Sequence, residues 1–175
     1  YPYARFPAKA QAIVDPTVWG LSRRSAGIKC RFATIATDVW IRWRLENGAA
    51  PKGDWLWPAT GHGGVDLYAD DPTGIPRWVM SSGNKPIMSM QNASAGLITG
   101  IFNVPPQSNG GARNYTLYLP LGAATDTIEV AVMNAHSQDN VPVMALPPPV
   151  NASLPGSHRP VLWYGTSIMN GAAAN

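Results

Sequence analysis

The sequence predicts an all-β protein, and three observations lead to this fold class. Apolar and polar residues alternate in many short runs, which is the two-residue period of half-buried strands. The chain has 17 glycines and 17 prolines, which mark frequent turns between such strands. No long amphipathic helical period is visible. We therefore expect a β-sandwich of jelly-roll type over residues 18–146.

Composition and charge exclude several classes of protein. An apolar content of 45% is sufficient for a globular core, and charged residues at 13% argue against disorder. No run approaches the 18 apolar residues of a membrane span. Nine of the 13 Lys and Arg residues lie in the first 52 residues, but without a dense basic stripe or a recognition motif. We expect no membrane span and no nucleic-acid partner, although an anionic polymer could be attracted to this part.

The first elements are an arm and two strands. Residues 1–17 are rich in proline and alanine and are predicted to form an extended arm, with one or two helical turns over residues 8–14. Residues 18–21 are expected to form a first short strand. Residues 28–36 alternate as a half-buried strand that contains the lone Cys30. A buried structural thiol is the favoured state of Cys30, and a reactive thiol is the alternative. A segment outside this chain could also hold a disulfide partner.

Residues 39–45 give the clearest strand of the sequence. Val39, Ile41, Trp43 and Leu45 point to one face, and Arg42 points to the other. A shift of one residue would bury arginines, so we expect Trp43 in the core and Arg42 at the surface. The dipeptide at residues 47–48, Asn-Gly, then predicts a tight turn.

Residues 49–64 are predicted to be a loop with two tryptophans. Trp55 and Trp57 could stack on sugar rings, or they could cover the open end of the sandwich. The next strand, residues 64–69, alternates Val65 and Leu67 with Asp66 and Tyr68. Asp66 is expected to make a structural hydrogen bond or to orient a neighbouring loop, and both Asp66 and Tyr68 are candidates to face a ligand.

The remaining strands are bounded by turns. In the turn that follows, adjacent acids at residues 70–71 are expected to face solvent rather than to bind a metal. Further strands are predicted at residues 75–80, 87–90, 96–104, 115–121, 127–133 and 141–146. The strands at residues 115–121 and 127–133 are expected to pair antiparallel. Three consecutive prolines then end the sandwich and begin a linker over residues 147–159.

Residues 160–175 have the pattern of the start of a second, α/β domain. Residues 161–164 form an apolar run typical of a buried parallel strand, and Gly165, Ser167 and a small-residue stretch follow. Strand, tight turn and helix is the geometry that exposes a nucleophilic oxygen at the edge of a sheet. The alternative role of Ser167 is to cap the helix.

Three Asn-x-Ser/Thr sequons are candidate glycosylation sites. They begin at Asn92, Asn114 and Asn151. The chain begins with tyrosine, as after removal of a signal peptide or in a trimmed fragment. Together these features predict a secreted, extracellular glycoprotein, with unmodified asparagines as the alternative.

Three blocks resemble one enzyme family. Residues 164–171, Tyr-Gly-Thr-Ser-Ile-Met-Asn-Gly, are similar to the first conserved block of the SGNH/GDSL hydrolases. Residues 64–68, Gly-Val-Asp-Leu-Tyr, resemble the GxDLY motif of the branch that carries a β-sandwich ahead of the catalytic domain. Residues 115–121, Tyr-Thr-Leu-Tyr-Leu-Pro-Leu, resemble a strand of the same branch, and the order and spacing of the three blocks fit.

The resemblance implies a serine esterase without cofactor or metal. Sugar esters are the expected substrates, because the family often removes acyl groups from glycans. Ser167 would be the nucleophile, and its own backbone N–H would help to hold the oxyanion. The family's later glycine, asparagine and histidine blocks do not occur before Asn175. We therefore expect this chain alone to be inactive and to be completed by a downstream SGNH domain or a second polypeptide. The alternative is a non-catalytic secreted β-sandwich module that binds glycan or a protein partner.

Overall fold

The computed structural model describes residues 3–48, 59–81, 85–87, 97–104, 107, 110–133 and 144–146 of the 175-residue chain. The strands in chain order are β1 (Lys29–Thr34), β2 (Asp38–Leu45), β3 (Asp66–Asp70), β4 (Pro76–Ser81), β5 (Lys85–Ile87), β6 (Leu97–Asn103), β7 (Arg113–Tyr118), β8 (Thr125–Met133) and β9 (Met144–Ala145). The helices are α1 (Pro16–Ser22) and α2 (Ala59–Gly63), with short 3-10 turns at Ala8–Ala12 and Glu46–Gly48.

These strands form two antiparallel sheets that share one core. The first sheet has the order β4-β3-β7-β1-β9, and the second has the order β5-β6-β2-β8. Both sheets contribute to one cluster of buried side chains, which includes Phe32, Leu67 and Tyr115 from the first and Ile41, Trp43 and Phe102 from the second. The all-β prediction is therefore confirmed. The jelly-roll connectivity stays a prediction, and the linker and the α/β segment lie outside the described residues.

Strand β2 has the faces that its sequence predicts. Its four alternating apolar side chains are at most 1% exposed, and Arg42 is exposed. Arg42 pairs with Glu129 of β8 on the outer face of the second sheet. The turn after β2 is also as expected, because Asn47 and Gly48 both have positive φ angles, of 57° and 65°.

The predicted strand at residues 18–21 is wrong, because these residues lie in α1. The Asp15 side chain accepts a hydrogen bond from the Thr17 backbone N–H at 2.8 Å, and Pro16 occupies the first helical turn. An acidic N-cap followed by proline is typical of the start of a helix. This signal, and not the short apolar run that predicted a strand, determines the structure of residues 18–21. The loop predicted over residues 49–64 likewise ends in a helix, α2.

The predicted pairing of residues 115–121 with residues 127–133 is also wrong. Strand β7 lies between β1 and β3 in the first sheet, whereas β8 pairs with β2 in the second. The connection cannot be a tight hairpin, because it carries the chain from one sheet to the other. Leu119, Pro120 and Thr125 are buried along it. None of the helices in the described ranges is long and apolar enough to cross a membrane.

Candidate functional site

Residues 64–68 lead into β3 and form its first part. Their side chains point alternately to the core and to the outer face of the first sheet. Val65 and Leu67 are at most 1% exposed, whereas Asp66 and Tyr68 lie on the outer face and are partly exposed. From the opposite sheet, Trp43 donates its indole N–H to the backbone carbonyl of Gly63 at 2.8 Å. The start of β3 is therefore attached to the core just before its two outward polar side chains.

Asp66 lies between two neighbouring strands. It is opposite Ser81 of β4 and Tyr118 of β7, and one of its carboxylate oxygens accepts a hydrogen bond from the Ser81 hydroxyl. A carboxylate held in this way has further lone pairs with which to accept a hydrogen bond from a loop or a ligand. Its geometry fits a positioning role.

Tyr68 belongs to a row of side chains that continues across the sheet. Its ring meets Tyr118 edge to face, with centroids 5.4 Å apart, and the Lys29 ammonium lies 5.6 Å from the Tyr118 centroid. Burial raises the pKa of Tyr68, and the negative charge of Asp66 adds to this effect. The phenol therefore stays neutral at physiological pH and is a hydrogen-bond donor on this face.

The far end of β3 carries a buried ion pair. Arg31 of β1 donates to Asp70 at 3.1 Å across β7, and the side chains are only 17% and 9% exposed. The other oxygen of Asp70, Oδ1, is buried and has no hydrogen-bond partner in the described part of the chain. The expectation that this acid faces solvent is thus wrong, because Arg31 draws it onto the sheet.

A groove of about 940 Å³ lies beside this end of the sheet. It runs between the β3–β4 turn and the segment that leads into β7. Its polar and aromatic lining consists of Asp70, Asp71, Arg77, Trp78, Gln107, Arg113 and Asn114. Trp78 is 61% exposed. The groove lined by these residues is called the Trp78 groove.

Asp71 fixes the shape of the turn at the rim of this groove. Its Oδ1 accepts hydrogen bonds from the Thr73 hydroxyl at 2.6 Å and from the backbone N–H groups of Thr73 and Ile75 at 2.9 and 3.0 Å. Its Oδ2 accepts from Arg77 Nε at 2.9 Å. These hydrogen bonds, that of the Thr73 side chain foremost, hold the pKa of Asp71 well below its usual range.

The structure places some of the predicted site residues and leaves others outside its described ranges. Asp66 and Tyr68 share one face, and Asn114 is exposed and lines the Trp78 groove. Ser167, Trp55, Trp57, Asn92 and Asn151 lie outside the described residues. Within the described ranges, no three His, Cys, Asp or Glu side chains are grouped as metal ligands.

The sequence reasoning missed Arg77, Trp78 and Arg113. The signal in the sequence for an exposed Trp78 was the proline at the first position of β4, because proline is typical of edge strands. An edge strand has only one neighbouring strand, so its outward side chains are less covered.

A two-sheet antiparallel sandwich with a Gly-x-Asp-Leu-Tyr strand is the architecture expected of the family branch that residues 64–68 resemble. Comparison with protein families agrees: the model of the GxDLY family, described as the N-terminus of SGNH-hydrolase-type esterases, matches residues 1–137. The chain belongs to this family. No curated protein matches the chain significantly.

Two solved structures are similar to this chain. A protein described as a GDSL-like lipase from Bacteroides ovatus is 19% identical, with a TM-score of 0.61, and the match covers 81% of this chain and 36% of that one. The salicylyl-acyltransferase SsfX3 from a tetracycline biosynthetic pathway is 14% identical, with a TM-score of 0.43, over 77% of this chain and 34% of that one. The first likeness supports the fold, and the second is too weak to carry an argument. The matched part is about a third of the length of either protein.

Proposed function

We propose that this chain is the N-terminal part of a secreted SGNH/GDSL serine esterase that acts on acylated carbohydrate. The observation that carries the proposal is the family match over residues 1–137, followed in sequence by the Tyr-Gly-Thr-Ser block at residues 164–167. The family is the N-terminal region of SGNH-type esterases, so a downstream catalytic domain is the natural partner of the sandwich.

In the proposed reaction, Ser167 Oγ attacks the ester carbonyl and transfers its proton to a histidine outside this chain. The backbone N–H of Ser167 stabilises the oxyanion, together with glycine and asparagine donors of the catalytic domain. Collapse of the tetrahedral intermediate breaks the ester bond, and the histidine returns its proton to the leaving oxygen, which releases the sugar hydroxyl and leaves an acyl-serine. Water then attacks the acyl-serine, which releases the carboxylic acid and restores the Ser167 hydroxyl.

The sandwich has a supporting role in this proposal. Asp66, held by Ser81, and Tyr68, neutral beside Tyr118, present an acceptor and a donor on one face of the first sheet. Such a pair is suited to orient a loop of the catalytic domain or a hydroxyl of the substrate. Secretion is part of the same proposal, and the exposed sequon residue Asn114 is accessible for a glycan.

The test is hydrolysis of 4-nitrophenyl acetate and of acetylated oligosaccharides by the natural full-length protein. We expect Ser167→Ala to lower kcat by at least about a thousandfold, since loss of the nucleophile removes the acyl-enzyme route. Ser157→Ala, in the predicted linker, is the matched control and should retain full turnover. Unchanged turnover in Ser167→Ala would remove Ser167 from the mechanism.

A binding module without catalysis is the second candidate function. The specific observation in its favour is Trp78, which is 61% exposed beside a groove lined by charged and amide side chains. Saccharide binding that is retained in Ser167→Ala, in a protein without esterase turnover, would support this candidate over the first.

A further inference from the structure

We propose that the outer face of the first sheet, at the end where β3 begins, is the surface on which the downstream catalytic domain docks. Two rows of side chains cross the strands there: Asp66, Tyr118 and Lys29 form the first, and Trp78, Tyr68 and Arg31 belong to the second. These two rows are called the Tyr68 face. The inference rests on the proposed function only for the presence of a catalytic domain after the sandwich, and it adds the surface that this domain covers.

The strand register places these six side chains on one side of the sheet. Residues directly opposite one another on paired strands point to the same side, and successive residues of a strand point to opposite sides. Leu67 and Leu117, which lie beside the motif residues along β3 and β7, point to the core and are 0% exposed. A domain placed on the outer side can therefore contact both rows at once.

The Tyr68 face has the composition of a protein interface. Trp78 is 61% exposed on the edge strand β4, and the rings of Tyr68 and Tyr118, packed edge to face, are partly exposed beside it. The charge of Arg31 is already neutralised by Asp70. Centres of protein interfaces are enriched in aromatic residues and depleted of unpaired charge, so this face is suited to be covered by another domain.

The outer face of the second sheet is less suited to docking. Two ion pairs join β2 to β8 there, Arg42 with Glu129 and Arg44 with Asp126, and their side chains are between 34% and 56% exposed. A domain that covered them would remove four charges from water, and the attraction within each pair repays that cost only partly. Docking on the first sheet avoids this cost.

The path of the chain leads to the same end of the first sheet. Met144 of β9 lies opposite Ala33 of β1, and the Leu146 backbone N–H donates to the Arg31 carbonyl at 3.0 Å. Strand β9 therefore runs toward Lys29, which is in the first row of the Tyr68 face. A domain that follows β9 in sequence is attached at the end of the sheet where this face lies.

Three polar groups of the face determine what the covering surface must present. The Tyr68 phenol is a neutral donor, and Asp66 accepts from Ser81 with lone pairs to spare. Within the described ranges, neither Asp66 nor Lys29 belongs to an ion pair. The catalytic domain should therefore offer an acceptor to Tyr68, a donor to Asp66 and a carboxylate to Lys29, around an apolar contact with Trp78.

The experiment is small-angle X-ray scattering of the natural full-length protein and of its Trp78→Lys and Ile35→Lys variants. Edge strands tolerate lysine, so Trp78→Lys should fold, and circular dichroism checks this. We expect its radius of gyration to rise by at least about a tenth, because the domains separate, and its single melting transition to divide into two. Ile35→Lys is the matched control, since Ile35 is 48% exposed just after β1, at the opposite end of the sheet, and should match the parent.

A second variant and a cross-link test the same surface without Trp78→Lys. Tyr68→Phe removes only the phenol hydroxyl, so it should lower the melting temperature at which the domains separate and leave the circular dichroism unchanged. A carbodiimide joins an amine directly to a carboxylate that it touches. We expect it to connect Lys29 to a residue of the catalytic domain, and Lys29→Arg to abolish the product.

The outcomes separate this surface from the esterase proposal. Equal radii for the parent and Trp78→Lys, or cross-links from Lys29 only within the sandwich, would overturn the surface. A dimeric parent that Trp78→Lys converts to monomers of unchanged shape would overturn it and assign the face to a second copy. Lost oligosaccharide binding in Trp78→Lys, with the domains still together, would overturn it in favour of a glycan. Docked domains without turnover of 4-nitrophenyl acetate would support the surface while contradicting the esterase, whereas turnover by a parent protein whose domains are already separate would do the reverse.

Discussion

Trp43 connects the core to the GxDLY strand, and its replacement tests both halves of this description. The side chain is 1% exposed in the centre of β2, and its indole N–H binds the Gly63 carbonyl immediately before the motif. Trp43→Phe keeps an aromatic ring but removes the donor. Trp43→Ala removes both the ring and the donor.

The expected costs follow from these contacts. In Trp43→Phe, the carbonyl of Gly63 loses a buried hydrogen bond, which costs about 1 kcal/mol, and the smaller ring leaves a cavity that costs about 1 kcal/mol more. Trp43→Ala should lower the free energy of unfolding by about 3–5 kcal/mol. Phenylalanine should therefore retain roughly half of the stability that alanine loses.

Urea denaturation followed by circular dichroism measures these differences. Trp40→Phe is the control, because Trp40 lies on the opposite face of the same strand and is partly exposed. We expect the control to change the free energy of unfolding by less than about 1 kcal/mol. A loss below about 1 kcal/mol for Trp43→Ala would show that the faces of β2 are assigned backwards. A Trp43→Phe protein as stable as the parent would show that the Gly63 hydrogen bond contributes nothing.

Three further predictions concern charged and titratable groups. Arg31→Ala should lower the free energy of unfolding by about 3 kcal/mol, because it leaves Asp70 buried without its partner. Urea denaturation of Arg31→Ala, Asp70→Ala and the double variant tests this. A double variant whose loss equals the sum of the two single losses would contradict it. The folded-state pKa of Asp71 lies below its ordinary value of 3.8, so the ionised carboxylate stabilises the fold above about pH 4 and loses that effect as the pH falls. Asp71→Asn should therefore flatten the decline of the melting temperature in acid. A parallel decline in both proteins would refute this prediction. Burial raises the pKa of the Cys30 thiol, so iodoacetamide at pH 8 should alkylate it at least about tenfold more slowly in the folded protein than in urea, and equal rates would contradict this.

The sequence predicted those elements whose pattern is local. Alternation over the seven residues 39–45 was sufficient to place Trp43 in the core and Arg42 outside, because a strand has only two faces. The three family blocks likewise depended on contiguous residues. The family match over residues 1–137 confirms the resemblance and covers two of them, whereas the block at residues 164–171 stays a prediction. Helix α1 was missed because residues 18–21, which were predicted as a strand, are too few to show a helical period. The N-cap residue Asp15 was nevertheless present in the sequence.

The remaining features depend on which strands are neighbours. Chain order made β7 and β8 look like a hairpin, whereas β7 lies between β1 and β3. That arrangement places Arg113 and Asn114 in the lining of the same groove as Trp78, across more than thirty residues of sequence. The Arg31–Asp70 pair has the same origin. No local pattern of the sequence contains these contacts.

The most direct test of the central claim is covalent labelling of the natural full-length protein with a fluorophosphonate, followed by peptide mass spectrometry. Such reagents react with serines that an adjacent base has activated, and an ordinary turn serine stays unmodified. If the chain is the N-terminal part of an SGNH esterase, the label will be found on Ser167, and heat denaturation before labelling will abolish it. Labelling of a different serine, with Ser167 unmodified, would contradict the account.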